Sequence, residues 1–143
     1  MILQYPARIK YSAEDRTYLV EFSDLPGCLT EGKTLEEAKQ NAKEALTGYL
    51  ASDFERNIKI PGPSAIKGKN IYPIEPEPEV AVPILLRKLR ETRKLTQRDI
   101  AKVLGISYQA YQRLEKPGKS NPTLKTLERL AKVFNKDLRL EFT

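Results

Sequence analysis

The most informative stretch of the chain is Leu95–Glu115, LTQRDIAKVLGISYQAYQRLE. Thr96 followed three residues later by Asp99 is a capping box, in which each side chain accepts a hydrogen bond from the other residue's backbone N–H at the start of a helix. Gly105 provides the positive φ angle of a sharp turn, and Ser107 can cap a second helix. The spacing therefore predicts a helix-turn-helix. The apolar faces of its two helices are expected to be Ile100, Val103 and Leu104, and Ala110, Tyr111 and Leu114.

The polar side of the second helix points to a ligand. It carries Tyr108, Gln109, Gln112 and Arg113, which can hydrogen-bond base edges in the major groove. An ordinary antiparallel helix pair would show the same apolar spacing, but its solvent side would carry a mixture of Glu and Lys. We therefore predict that this segment binds duplex DNA.

Two further helices are predicted around this core, at Pro83–Lys94 and Thr123–Phe134. Their inward residues are expected to be Ile84, Leu85, Leu86 and Leu89, and Leu124, Leu127, Leu130, Val133 and Phe134. Residues 83–143 resemble the helix-turn-helix domains of phage-repressor-like regulators, down to Leu114-Glu115 and Pro122-Thr123-Leu124. The resemblance implies that Gln97 holds a phosphate and that Tyr108, Gln109 and Arg113 face the major groove beside Gln112. The full set predicted to bind DNA is Gln97, Ser107, Tyr108, Gln109, Gln112, Arg113 and Lys119.

Charge divides the chain into two halves. Met1–Glu79 contains 10 Lys and Arg against 13 Asp and Glu, a net charge of −3, whereas Val80–Thr143 contains 15 against 6, a net charge of +9. The basic excess is the electrostatic footprint expected of a phosphate-binding module, and it predicts binding that weakens with salt. The weakly acidic half is expected to form a separate domain.

Several chemistries are excluded by composition. The chain has no histidine and one cysteine, Cys28, so Ser-His or Cys-His nucleophile pairs, His-ligated zinc and an internal disulfide cannot form within it. We expect a protein that is not an enzyme and needs no cofactor or metal. No apolar run has membrane-spanning length and the N-terminus lacks a signal pattern, which favours a cytoplasmic protein without membrane contact.

The acidic half alternates apolar and polar residues in a β-β-β-α-β order. Strands are predicted at Gln4–Ser12, at Thr17–Phe22, from Cys28 to Thr30 with an end at Gly32, and at Lys69–Ile74. A second capping box at Thr34 begins a helix that runs to about Phe54. The prolines and glutamates of residues 75–82 predict a stiff extended linker that cannot be a helix. The expected domains are therefore residues 1–74 and 83–143.

A second resemblance covers nearly the whole chain. It rests on Glu21–Gly32 (EFSDLPGCLTEG), Thr34–Ala38 (TLEEA) and Asn41–Leu46 (NAKEAL), which look like the HicB antitoxin family. The resemblance implies a truncated ribonuclease-H-like N-terminal domain that binds HicA, a small basic toxin that cleaves messenger RNA. It also implies that the C-terminal domain binds the operator of its own operon. The acidic half would then occlude the toxin, while the basic half represses transcription.

Candidate toxin contacts lie on the turn after the second strand and at the start of the long helix. A domain of net charge −3 suits a cationic partner, because complementary charges favour encounter. The predicted acidic contacts are Asp24, Glu31, Glu36 and Glu37, with Leu25 and Pro26 as apolar anchors.

Two other functions are a nuclease and a repressor that senses a small molecule. A ribonuclease-H-like nuclease would need carboxylates around two metal ions, yet the first predicted strand contains no Asp or Glu. A one-component repressor whose N-terminal domain senses a small molecule is the alternative, although no glycine-rich phosphate loop or metal cluster marks a ligand. A toxin-like reading frame beside the gene would favour the antitoxin, and its absence would favour the sensor.

The tail Asp137–Phe142 alternates like a strand although it follows a helical domain. A strand needs a pairing partner, so we predict that the tail pairs with its counterpart in a second copy or stabilises the contact between two helix-turn-helix domains. The residues expected to contribute to this homodimer or higher homo-oligomer are Leu138, Leu140 and Phe142. The expected fold is thus an α+β N-terminal domain joined to an all-α helix-turn-helix domain with a short C-terminal strand.

Overall fold

The computed structural model describes all 143 residues, which divide into two compact units, Met1–Ala81 and Val82–Thr143. The first unit contains the four strands and the longest helix, which confirms the α+β expectation. None of the helices combines the length and the apolar character that a bilayer crossing requires. In chain order, the elements are β1 (Tyr5–Ser12), β2 (Thr17–Glu21), β3 (Leu29–Gly32), α1 (Leu35–Glu55), β4 (Ile71–Ile74), α2 (Pro78–Thr92), α3 (Gln97–Leu104), α4 (Tyr108–Leu114) and α5 (Leu124–Val133).

The sheet of the first unit is antiparallel throughout, in the order β3-β2-β1-β4. Tyr5, Ala7 and Ile9 alternate along β1 and are buried, since every second side chain of a strand points to the same face. Ile9 lies opposite Val20 in the register. The four predicted strands are present, with ends that differ by one or two residues.

Helix α1 packs closely on the sheet. Thr34 caps it by accepting a hydrogen bond from the backbone N–H of Glu37 at 3.1 Å. The second bond of the predicted capping box, from the Thr34 N–H to the Glu37 side chain, is not formed. Its buried stripe includes Ala38 and Ala42, and β3 ends opposite this stripe at Gly32. A Cβ on Gly32 would lie 2.4 Å from the backbone nitrogen of Ala38. Small residues on both sides therefore permit the approach of helix and strand.

Helix α2 corrects the prediction for residues 75–82. The helix begins at Pro78, so the second half of the expected extended linker is helical. Proline is favoured at the first helical position, because its φ is already helical and its missing N–H has no intrahelical partner there. Pro83 lies inside the helix and is buried, although such a proline removes one backbone hydrogen bond. Ile84 and Leu86 point inward as predicted.

The second unit has an all-α core. It is built from Leu86 of α2, Ile100, Ala101 and Leu104 of α3, Tyr111 of α4, Leu130 of α5 and the following Phe134. Three predicted core residues, Val103, Ala110 and Leu124, are exposed instead. The buried stripe of α3 follows Ile100, Ala101 and Leu104, which turns Val103 to solvent, and that of α4 follows Tyr111 and Leu114. Leu124 is the first residue of α5, ahead of the turns that pack.

The tail after α5 forms no strand, so the predicted C-terminal strand is wrong for the single chain. Residues 135–143 are exposed, and Phe142 is fully so. A strand is stable only when its backbone groups pair with another strand, and this chain offers none to the tail.

Candidate nucleic-acid and protein interfaces

The caps of the helix-turn-helix agree with the prediction. The Thr96 hydroxyl accepts a bond from the Asp99 backbone N–H at 3.0 Å, and the Asp99 carboxylate accepts one from the Thr96 N–H at 2.8 Å. The bond from the Thr96 backbone is the largest cause that lowers the pKa of Asp99. Gly105 ends α3 with a φ of 69°, and the Ser107 hydroxyl accepts a bond from the Ala110 N–H at 3.0 Å. The two helices are thus locally fixed.

A buried ion pair lies behind the start of α3. The Arg90 guanidinium donates to the Glu115 carboxylate from Nε at 2.7 Å and from Nη2 at 3.0 Å, and its Nη1 donates to the Leu95 carbonyl at 2.9 Å. Gln97 Nε2 also donates to Glu115, at 3.2 Å. The side-chain amide of Gln97, the predicted phosphate ligand, is therefore positioned by a hydrogen bond to the buried Glu115 carboxylate.

Sequence reasoning missed this pair. Arg90 and Glu115 are 25 residues apart, and no spacing rule within one helix connects them. The one signal in the sequence for a buried acid was Glu115, which directly follows Leu114 at the end of the apolar pattern of the second helix.

Tyr111 borders the same cluster. Its side chain is fully buried, and its hydroxyl lies beside the Glu115 carboxylate without a well-aligned hydrogen bond. Burial first, and then the neighbouring Glu115 carboxylate, raises the pKa of Tyr111, so the phenol is neutral.

The predicted base-reading residues share one short helix. Gln109 and Arg113 are exposed on α4, and Tyr108 and Gln112 are half-buried there. The hydroxyl of Ser107 is used in the cap, and Lys119 lies exposed in the turn after α4. The whole predicted set is thus available at the surface, with Gln97 and Ser107 also bonded within the fold.

One contact of this surface was not predicted. The Arg98 guanidinium of α3 lies over the Tyr108 ring of α4, 4.2 Å from the ring centroid. This distance is typical of a cation–π interaction. The contact joins the first turns of the two helices.

The turn after β2 is used mostly within the fold. The Asp24 carboxylate accepts bonds from the Ser64 backbone N–H at 2.9 Å and from its hydroxyl at 3.1 Å, which ties down the loop before β4. Leu25 is fully buried, so its prediction as a surface anchor is wrong. The turn folds back on itself and directs this side chain into the core. Pro26 is exposed, and its carbonyl accepts a bond from the Tyr49 hydroxyl at 2.9 Å.

The other predicted acids are exposed. Glu31 and Glu37 form no ion pair, and Glu36 lies 3.9 Å from the Lys39 ammonium. Leu29, which sequence reasoning missed, is 63% exposed on β3 two residues before Glu31. β3 is too short for alternation to reveal which of its sides faces water.

Leu29 and Glu31 belong to a mixed patch on the sheet face opposite α1. In the register Leu19 lies opposite Glu31 and Glu21 lies opposite Leu29, and directly opposed residues share a face. We call Leu19, Glu21, Leu29 and Glu31 the β2–β3 patch. On β1, Arg8 lies opposite Glu21 and Lys10 lies opposite Leu19, so two cations border this patch on the same face of the sheet.

Cys28 does not act as an exposed nucleophile. Its thiol is buried, and burial raises the pKa to about 11, so the thiolate is scarce near neutral pH. No group of three or more His, Cys, Asp or Glu side chains is arranged to hold a metal ion.

Comparison with known proteins identifies the class. Residues 4–87 match the family model of the HicB-like antitoxin of bacterial toxin-antitoxin systems, and residues 86–140 match a helix-turn-helix model. Together they define an antitoxin-type protein with a helix-turn-helix domain.

Several relatives agree. The Antitoxin HicB of Escherichia coli K12 is 34% identical over 78% of this chain and 80% of its own length. Antitoxin HicB 1 of Photorhabdus laumondii is 33% identical over 78% of this chain and 70% of its own. The chain belongs to the HicB-like antitoxin family.

Shorter and weaker likenesses also exist. The UPF0150 protein Ta0767 of Thermoplasma acidophilum is 48% identical over 36% of this chain and 75% of its own length. A solved structure titled "Toxin-Antitoxin complex from Streptococcus pneumoniae" has 19% identity and a TM-score of 0.44, over 73% of this chain and 98% of that one. A TM-score this low supports no conclusion about this chain.

Proposed function

We propose that the protein neutralises a cognate HicA-type, messenger-RNA-cleaving toxin by direct binding and occlusion, and that it represses its own operon by binding operator DNA. The N-terminal unit would bind the toxin in the truncated ribonuclease-H-like arrangement that the family resemblance implies. Both proposed partners place the protein in the cytoplasm. The observation that carries the proposal is that two family matches fall on two compact units of opposite net charge.

The basic unit supports the DNA-binding part. A net charge of +9 lies in the unit that presents Gln109, Gln112 and Arg113 on one helix. Cationic side chains release condensed counterions when they reach phosphates, so affinity should fall steeply with salt. Retardation of the duplex directly upstream of the gene, measured over a salt series against a scrambled duplex, tests this part.

The acidic unit supports the toxin-binding part, and the exposure of its side chains favours some of the predicted contacts over others. Glu31, Glu36, Glu37 and Pro26 are exposed, whereas Leu25 is buried and Asp24 is bonded to Ser64. We add Leu29, because an exposed apolar side chain between carboxylates suits a partner surface with apolar and basic groups.

A charge reversal tests the toxin contact. The double substitution Leu29→Ser with Glu31→Lys should weaken binding of the neighbouring gene's product by about tenfold or more, because it removes an anchor and introduces repulsion. Glu14→Lys is the matched control, since Glu14 is an exposed acid in the β1–β2 turn, and it should bind like wild type. Binding by calorimetry and rescue of cells that express the toxin are the two readouts. A gene without a toxin-like neighbour would instead favour the small-molecule sensor.

The tail supports a homodimer. Leu138, Leu140 and Phe142 are exposed in the single chain, and antiparallel pairing with a second copy would supply the missing strand partner. A symmetric dimer would match two operator half-sites about 34 Å apart. Truncation after Asn135 should lower the mass in light scattering and weaken operator binding. An unchanged mass would remove the tail from the dimer interface.

A further inference from the structure

The arginines of the second unit fall into two groups. Arg90 is bonded to Glu115, Arg93 donates to the Phe134 carbonyl at 2.6 Å, and Arg129 donates to the Leu104 carbonyl at 2.6 Å. Arg87 is paired with Glu91. These side chains are committed to the fold.

Arg98 is different. It forms no ion pair and no hydrogen bond within the chain, so its five N–H donors are available, yet its guanidinium is held against the Tyr108 ring. Arg113 and Arg139 also lack ion pairs and hydrogen bonds, but neither lies over an aromatic ring. Arg98 therefore combines free donors with a fixed position.

Its location is next to Gln97, at the first turn of α3. The capping box of Thr96 and Asp99 fixes the backbone on both sides of this residue. No carboxylate pairs with the guanidinium, and the neighbouring Asp99 carboxylate is bonded to the Thr96 backbone N–H instead. A phosphate oxygen that approached this turn would meet an ordered cation.

We propose that Arg98 contacts a phosphate of the DNA backbone and that Tyr108 is a positioning residue which holds Arg98 for that contact. The inference rests on the proposed DNA-binding function and changes the role of Tyr108, whose sequence prediction was a direct contact in the major groove. Stacking limits the conformations of Arg98 before binding, so less side-chain entropy is lost when the contact forms.

The test uses the full-length protein and the duplex directly upstream of its gene. Arg98→Ala should weaken binding about tenfold and reduce the slope of log affinity against log salt by about one, as expected for one lost phosphate contact. Tyr108→Ala should weaken binding about threefold with an unchanged slope, because the cation remains but is less ordered. Tyr108→Phe keeps the ring and should bind within about twofold of wild type.

The double substitution decides between positioning and direct reading. In the Arg98→Ala background, Tyr108→Ala should cause no further loss, since nothing remains to be positioned. Arg98→Lys keeps the charge but not the planar stack, so it should retain the salt slope and lose the dependence on Tyr108. Thermal unfolding of each variant verifies that the helices persist.

The contrary outcomes are distinct. Additive losses in the double variant, equal losses in Tyr108→Phe and Tyr108→Ala, or an unchanged salt slope in Arg98→Ala would overturn the positioning role while DNA binding stands. If the wild-type protein fails to retard the duplex at low salt, the proposed operator binding fails, and this inference falls with it.

Discussion

The two units differ in how many of their charged side chains take part in the fold. In Val82–Thr143, arginines are part of the fold: Arg90 pairs with buried Glu115, and Arg93 and Arg129 bind backbone carbonyls. In Met1–Ala81, the contact between α1 and the sheet is made by apolar and small residues such as Ala38 and Gly32. The acidic unit buries one carboxylate, Asp53 of α1, which pairs with Arg56 at 3.4 Å. Charge therefore contributes to both folds, and more side chains take part in the basic unit.

The reason lies in backbone hydrogen bonding. The last carbonyls of every helix have no intrahelical partner, and a unit of short helices has many such ends in a small volume. Arg129 reaches the last residue of α3 and Arg93 reaches the residue after α5. A sheet satisfies most of its backbone groups by strand pairing and needs fewer side chains for this purpose. Substitutions should thus couple stability to ligand binding in the basic unit more than in the acidic one.

The largest expected effect comes from the buried ion pair. Glu115→Ala should destabilise the second unit by about 3–5 kcal/mol, because it leaves the Arg90 guanidinium buried without its counter-charge. Chemical denaturation of the full-length protein measures this. Glu91→Ala is the control, since its exposed pair with Arg87 should be worth less than about 1 kcal/mol.

A paired replacement separates stability from function. Arg90→Met with Glu115→Leu removes both charges and should recover much of the lost stability, as such replacements often do. Gln97 would still lack its acceptor, so operator affinity should remain below wild type. Full recovery of both properties would show that the ion pair serves only the fold.

The next largest effects on stability are expected at two glycines of the acidic unit, Gly32 and Gly48. Gly32→Ala should destabilise this unit by about 1–3 kcal/mol, because the new Cβ meets backbone atoms of Glu37 and Ala38 that cannot move independently. Gly48→Ala, in an open position of α1, should instead stabilise by about 0.5–1 kcal/mol. Opposite shifts in the unfolding temperature are expected, and equal signs would contradict the close approach.

Local signals made most of the fold predictable. The caps at Thr34, Thr96 and Ser107 and the left-handed Gly105 depend on bonds within a few residues, and all four are present. The alternation of β1 likewise identified its buried face. Such features depend only on residues that are close in the sequence, so the sequence alone is enough to predict them.

The errors concern partners that are distant or absent. The rotation of α3 that exposes Val103 depends on the helices packed against it, and the burial of Leu25 depends on how a turn folds back. Arg90 and Glu115 meet only through the tertiary fold. The tail strand needs a second chain, so its pairing stays a prediction. The predicted DNA and toxin contacts are likewise open to the experiments above.

Tyr111→Phe should have a smaller effect and one of unusual sign. The Tyr111 hydroxyl is buried beside the Glu115 carboxylate without a well-aligned hydrogen bond to it, so its removal relieves a desolvation penalty while the ring keeps its packing. We expect stabilisation of about 1 kcal/mol in chemical denaturation. A loss of similar size would mean that the hydroxyl bonds to Glu115 in solution.

The smallest effect concerns the pH dependence of the α3 cap. The bonds from Thr96 lower the pKa of Asp99 below its ordinary value of 3.8, so the folded state binds this proton more weakly than the unfolded state. The stabilisation is therefore complete above the unfolded pKa and is lost as the pH falls through the folded pKa. Asp99→Asn should lower the unfolding temperature slightly at neutral pH, and the difference from wild type should shrink below about pH 4. Asp137→Asn, in the exposed tail, is the matched control and should show no difference at either pH. A constant offset of Asp99→Asn across this range would mean that the carboxylate charge contributes nothing beyond what an amide oxygen supplies as a cap.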